Sequence, residues 1–100
     1  MGASSEEHTE SVTALAFSLD GKLLISGSED HTINVWELST GKLLTTLEGH
    51  TDAVNTLTIS PEGETLISGS SDTDIRVWAK NIEVQNSYGE WIPMWGETLD

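Results

Sequence analysis

Residues 68–78 read SGSSDTDIRVW, and residues 26–36 read SGSEDHTINVW. The stretch at 68–78 repeats that at 26–36 after 42 positions, and the match extends beyond it. From His8 to Trp36 the shift gives 15 identities in 29 aligned pairs with no gap. His8 falls on His50, Val12 on Val54, Leu15 on Leu57, Gly21 on Gly63, Asp30 on Asp72 and Trp36 on Trp78. A fixed period of this kind marks a repeat architecture, in which one supersecondary unit cannot bury its own face and stacks on the next.

Each unit reads as short strands separated by turns. VTALAFS (12–18) alternates, with apolar residues on both faces, so it is expected to be covered on both sides. LDGK turns into LLISGS (23–28), EDHT into TINVWEL (32–38), and STGK into LLTTLEG (43–49). The second unit repeats three of these strands, at 54–60, 65–70 and 74–78. Pro61 and Gly63 suit the turn between the first two. Helical periodicity is absent throughout.

Charge narrows the partners. Seventeen acidic residues against four basic ones leave a formal net charge of −13. That field repels nucleic-acid phosphates and anionic headgroups, so neither nucleic acid nor membrane is an expected partner. A basic protein would be steered in, most strongly at low salt. There is no cysteine, hence no disulfide and no thiolate. The segment MGASSEEHTE lacks the charged and apolar parts of a secretory signal. No apolar run approaches the ~18 residues of a membrane span. The expectation is a soluble cytoplasmic protein.

A period of about 40–45 residues, four strands long, with Gly-His near one end and Trp near the other, resembles the WD40 family of β-propellers. Gly49-His50, the turn pairs Asp20-Gly21 and Glu62-Gly63, both SGSxD stretches, and Trp36 and Trp78 carry the resemblance. It covers residues 8 to about 80 and is similar to the highly repetitive WD40 arrays of bacteria. The departures are Glu7 before His8, and Glu37 and Ala79 where the family has Asp after Trp. The implied fold is all-β, with two four-stranded antiparallel blades at 8–49 and 50–80 and a propeller that is incomplete unless the chain oligomerises or belongs to a longer one. Residues 1–7 read as a flexible N-terminal segment.

His50, Ser68, Asp72 and Trp78, repeated as His8, Ser26, Asp30 and Trp36, admit two readings. One is a Ser-His-Asp hydrolase site. The other is a structural hydrogen-bond network, which the resemblance implies, with His between Asp and Ser and the Trp indole donating to Ser. The duplication and the lack of a GxSxG elbow favour the network, so no catalytic residue, cofactor or metal site is expected. Counting from Asp72 or Asp74 fails the glycine and glutamate positions of a calcium loop. The resemblance also implies that partners meet the loops at one end: Glu10 and Ser11, Glu29 and His31, Asp52 and Ala53, Ser71 and Thr73. The implied function is a protein–protein interaction scaffold. The alternative is a fragment of a larger regulatory protein, such as a kinase or NTPase with propeller repeats.

Two blades bury one interface and leave two apolar faces bare, whereas closed propellers have about 4–8 blades. Covering them calls for a homo-oligomer, which gives even blade totals, or for further WD40 blades. Residues 81–100 match nothing in the first unit. Three readings stand open there: a degenerate fourth strand or cap, with Ile82 and Val84 alternating; an aromatic docking motif in GEWIPMWG; or sequence under no folding constraint.

Overall fold

The computed structural model describes residues 11–97. Eight strands follow one another: β1 (Val12–Phe17), β2 (Leu23–Ser28), β3 (Ile33–Glu37), β4 (Lys42–Leu47), β5 (Val54–Ile59), β6 (Thr65–Ser70), β7 (Ile75–Gln85) and β8 (Trp91–Glu97). They form two antiparallel meanders, β1-β2-β3-β4 and β5-β6-β7-β8. The expected all-β fold with two four-stranded blades is borne out. His8 and Glu10, and the 1–7 segment, lie outside the described residues.

The turns explain why the meanders close where they do. Ser18 N–H donates to Leu23 C=O at 3.0 Å, and Gly21 takes φ +75°, a region open to glycine at no steric cost. Asp20 Oδ1 accepts from Ser18 Oγ (2.6 Å) and Lys22 N–H (3.0 Å). Blade 2 repeats the device with Ser60 N–H to Thr65 C=O at 2.8 Å and Gly63 at φ +80°.

The blades part company after Trp78. Blade 1 turns at once, with Gly41 at φ +75°. Blade 2 offers no glycine until Gly89, so β7 runs on for 11 residues before turning at Asn86–Gly89. Ile82 and Val84, which one of the three readings assigned to a degenerate fourth strand, therefore extend the third strand instead. The fourth position is filled by β8, paired from Trp91↔Gln85 to Glu97↔Trp78. The long hairpin reaches back to blade 1. There Ser87 Oγ donates to Glu37 Oε1, and Tyr88 Oη lies 3.2 Å from Ser39 Oγ.

The core lies between the blades. Ile25, Ile33 and Val35 of blade 1 and Val54, Leu57 and Leu66 of blade 2 are buried together. Gly27 is the point of closest approach: a Cβ there would sit 2.6 Å from Val54 Cγ1. Thr13 Oγ1 donates to Val54 C=O across the same joint. The outer faces are bare by comparison. Leu15 and Phe17 on blade 1 are each 60% exposed, and Ile75 on blade 2 is 75% exposed. Fully burying such a side chain is worth about 1.5–3 kcal/mol, so much stabilisation is left unrealised on both faces.

Gly27→Ala is expected to destabilise the chain by about 1–3 kcal/mol, because Val54 is stiff and fully buried and cannot move aside. Chemical denaturation read by tryptophan fluorescence checks this; an unchanged midpoint would contradict the packing.

Candidate functional site

In blade 2 the structure brings all four repeated polar residues into one chain. His50 precedes β5, Ser68 lies in β6, Asp72 in the β6–β7 turn, and Trp78 in β7. His50 Nδ1 lies 2.8 Å from Asp72 Oδ2, and His50 Nε2 lies 2.7 Å from Ser68 Oγ. Trp78 Nε1–H donates to Ser68 Oγ at 2.9 Å. Asp72 also accepts from the Thr51 N–H (2.9 Å) and Asp74 N–H (2.8 Å). With Asp72 ionised, His50 donates from Nδ1 and accepts the Ser68 hydroxyl at Nε2, so every proton has one acceptor. In blade 1, Trp36 Nε1–H donates to Ser26 Oγ at 2.9 Å, and Asp30 Oδ1 accepts from the Thr32 N–H at 3.0 Å and hydroxyl at 2.5 Å.

The connectivity is that of a Ser-His-Asp triad, but its accessibility is not. Ser68 is fully buried, and its hydroxyl is held by both His50 and the Trp78 indole. No substrate carbonyl can approach it, so the arrangement can fix a loop but cannot attack a bond. Burial disfavours the charged form of Asp72. The Thr51 and Asp74 amides and His50 outweigh it and hold the carboxyl well below its ordinary value of 3.8. Among the described residues no three His, Cys, Asp or Glu side chains converge as a metal ion requires.

Within each blade, a main-chain bond joins two of the loops named from the sequence. Glu29 N–H donates to Ser11 C=O at 2.9 Å, and Ser71 N–H to Ala53 C=O at 3.0 Å. Each main-chain bond ties the loop before a blade's first strand to the turn between its second and third. Ser11, Glu29, His31, Asp52, Ser71 and Thr73 are exposed, and Ala53 is half-buried. His31 and Thr73 hold φ +77° and +72°. For a β-branched residue that is a strained conformation, held by the turn around it.

Three features escaped the sequence reading. Gly49 lies beneath Arg76: a Cβ there would meet the guanidinium carbon at 2.9 Å. Glu37, the residue after Trp36, is buried, and hydrogen bonds from Ser87 and then Thr40 lower its pKa. The hairpin and the blade 1 turns frame an open groove of about 640 Å³ that includes Lys22, Glu37, Lys80 and Tyr88. Only the Gly after Trp78 being so late hinted at the hairpin, and nothing in the pattern pointed to its anchor.

Comparison with known proteins agrees with this geometry. The family model described as "WD domain, G-beta repeat" matches residues 3–37 and again 41–79. Mitochondrial division protein 1 of Saccharomyces cerevisiae is 54% identical over 43 residues, 43% of this chain and 6% of that protein. The ribosome biogenesis protein BOP1 homolog of Drosophila erecta is 40% identical over 41 residues, 41% of this chain and 5% of that protein. Among solved structures, the computationally designed Ika4 protein superposes with a TM-score of 0.66 at 38% identity, over 79% of this chain and 49% of that one. The computationally designed Ika8 protein gives the same TM-score and identity over 77% of this chain and 23% of that one.

Ser68→Ala strips Trp78 and His50 of their shared partner and is expected to cost about 1–3 kcal/mol in denaturant unfolding. Because the Asp72 pKa is lowered in the fold, its stabilising contribution is complete above 3.8 and is lost as pH falls below that value. Asp72→Asn should therefore flatten the loss of stability below pH 3.8, a difference read from melts at a series of pH values. Thr73→Gly relieves the strained φ and is expected to stabilise by about 1 kcal/mol. A lower melting temperature would show the threonine is held at no cost.

Proposed function

The chain belongs to the WD40-repeat family, and from that premise we propose that it is a protein–protein interaction scaffold with no chemistry of its own. WD40 repeats act as protein-interaction scaffolds and are generally non-catalytic. The observation that carries the reading here is the tied rim. Main-chain bonds from Glu29 to Ser11 in blade 1 and from Ser71 to Ala53 in blade 2, with Asp72 bound to Thr51 and His50, tie the loops of each blade in a fixed pair. A pre-ordered surface forgoes the ordering cost that a floppy loop meets on binding. The buried Ser68 supports the absence of catalysis.

The partner is a protein, and a basic one, since the chain carries −13 and Glu29 and Asp52 stand exposed on the rim. The setting proposed is the cytoplasm. Further blades complete the propeller, from other copies or from repeats in a longer chain. A second reading has its own support: the matched relatives are far longer than the segment shared with them, which is 5–6% of their length. On that reading these blades are part of a larger WD40-containing regulatory protein, such as a kinase or NTPase, which carries the chemistry elsewhere.

Reversing the rim charge with Glu29→Lys and Asp52→Lys should weaken binding of a lysine-rich peptide by roughly fivefold to tenfold at low salt, with the melting temperature unchanged. Fluorescence anisotropy reads the affinity. Equal binding by both proteins would contradict the acidic-rim reading.

A further inference from the structure

The molecule already contains one instance of how its outer faces are covered. Within the chain, blade 1 offers a receiving face of Ile25, Gly27, Ile33 and Val35, and blade 2 enters it with Val54, Leu57 and Leu66. The repeat puts the same residues at the same places on the opposite blade. Blade 2 has Ile67, Gly69, Ile75 and Val77, and blade 1 has Val12, Leu15 and Leu24. Register agrees with sequence. Val35 pairs with Ile25 as Val77 pairs with Ile67, and Leu15 pairs with Ser26 as Leu57 pairs with Ser68. What differs is cover, and for Ile75 part of the difference arises within its own blade, since Ile33 pairs with Leu47 of β4 whereas β8 pairs with β7 only from Trp78 onward. Ile33 is fully buried, while Ile75 is 75% exposed; Leu57 is 9% exposed, while Leu15 is 60% exposed.

Blade 2 thus shows a second receiving face to solvent, and blade 1 a second entering face. We infer that the chain binds a second copy of itself head to tail, with Val12 of one copy seated over Gly69 of the next as Val54 is seated over Gly27. This deepens the scaffold reading by naming the partner of its outer faces, and it rests on that reading only for the propeller architecture. The occupant follows from continuity with the internal joint, because the four receiving and three entering residues named above recur identically, while Thr56 and Thr58 replace Ala14 and Ala16 at the edge of the receiving face. The polar contact has a counterpart as well. Thr13 donates to Val54 C=O inside the chain; the repeat puts Asn55 at the equivalent position of blade 2, where its amide donates to Ser71 Oγ at 2.9 Å and keeps a second N–H for a Val12 C=O. The contact uses two different faces, so it is heterologous and propagates to a closed ring or an open fibre. Copies carrying −13 repel one another, so association strengthens as salt is raised.

Two exposed positions give the test. Ile75→Glu spoils the receiving face and Leu15→Glu the entering face, and neither residue is needed in the core. Phe17→Glu is a second entering-face variant, and a circular dichroism melt verifies folding of each. Light scattering on the full chain over a concentration series should show species above the monomer mass for the unaltered chain. Each variant alone should be monomeric, with association weakened at least tenfold. An equimolar mixture of Ile75→Glu and Leu15→Glu should then form a one-to-one dimer, because each supplies the intact face that the other lacks. Three results would overturn the inference: an unaltered chain monomeric up to about 1 mM, association lost in only one variant, or a mixture that stays monomeric. At high salt, where the −13 charge is screened, the loop variants Glu29→Lys and Asp52→Lys should self-associate as the unaltered chain does, so a failure of loop binding and a failure of self-association are read separately.

Discussion

A blade in this protein is a sheet with two apolar faces, and two blades share only one joint. The rest of the structure depends on that constraint. The joint is tight where Gly27 gives way to Val54, and it draws the buried residues of both sheets into a single cluster. Ile33 and Leu57 are interior while their repeat counterparts Ile75 and Leu15 are exposed, with no change in chemistry. Burial is thus decided by the neighbour rather than by the residue, as expected for architectures stabilised by nearest-neighbour interfaces.

On this packed base, the polar residues do a different job. Asp72 lies in one turn and takes hydrogen bonds from His50 and Thr51 in the segment before β5. Ser68 then passes the chain inward to the Trp78 indole. A loop at the rim is in this way pinned to the middle of the sheet. Satisfied networks of this kind rigidify, whereas a broken one leaves buried donors unpaired. Rigidity at the rim and bare faces at the sides are two separate properties. The first suits binding through loops, and the second suits growth of the propeller.

The period made the blades legible. Identities at a spacing of 42 located β1 to β3 and β5 to β7 at their start, and the turn glycines located the ends of most strands. The His50–Ser68–Asp72–Trp78 set was visible because it recurs, and chemistry seldom needs a copy per blade. The β7–β8 hairpin was harder. Alternation at Ile82 and Val84 signals a strand but not which one, since pairing partners are chosen by distant residues. Glu37 holding Ser87 is a contact across 50 positions, and no local pattern encodes it. Nor could the copies reveal cover: Ile33 and Ile75 hold the same repeat position, but Ile33 pairs with Leu47 of β4 while β8 reaches β7 only from Trp78 onward.

The most direct measurement is methyl NMR of the full chain on dilution. It follows Leu15 and Ile75 on the outer faces, with Leu57 and Ile33, their counterparts at the internal joint, as references. If the repeat encodes its own partner, the Leu15 and Ile75 signals shift together with a single midpoint in concentration, while Leu57 and Ile33 stay in place. Outer-face signals that ignore concentration, or a shift at one of them alone, would contradict the claim that the two faces are made for each other.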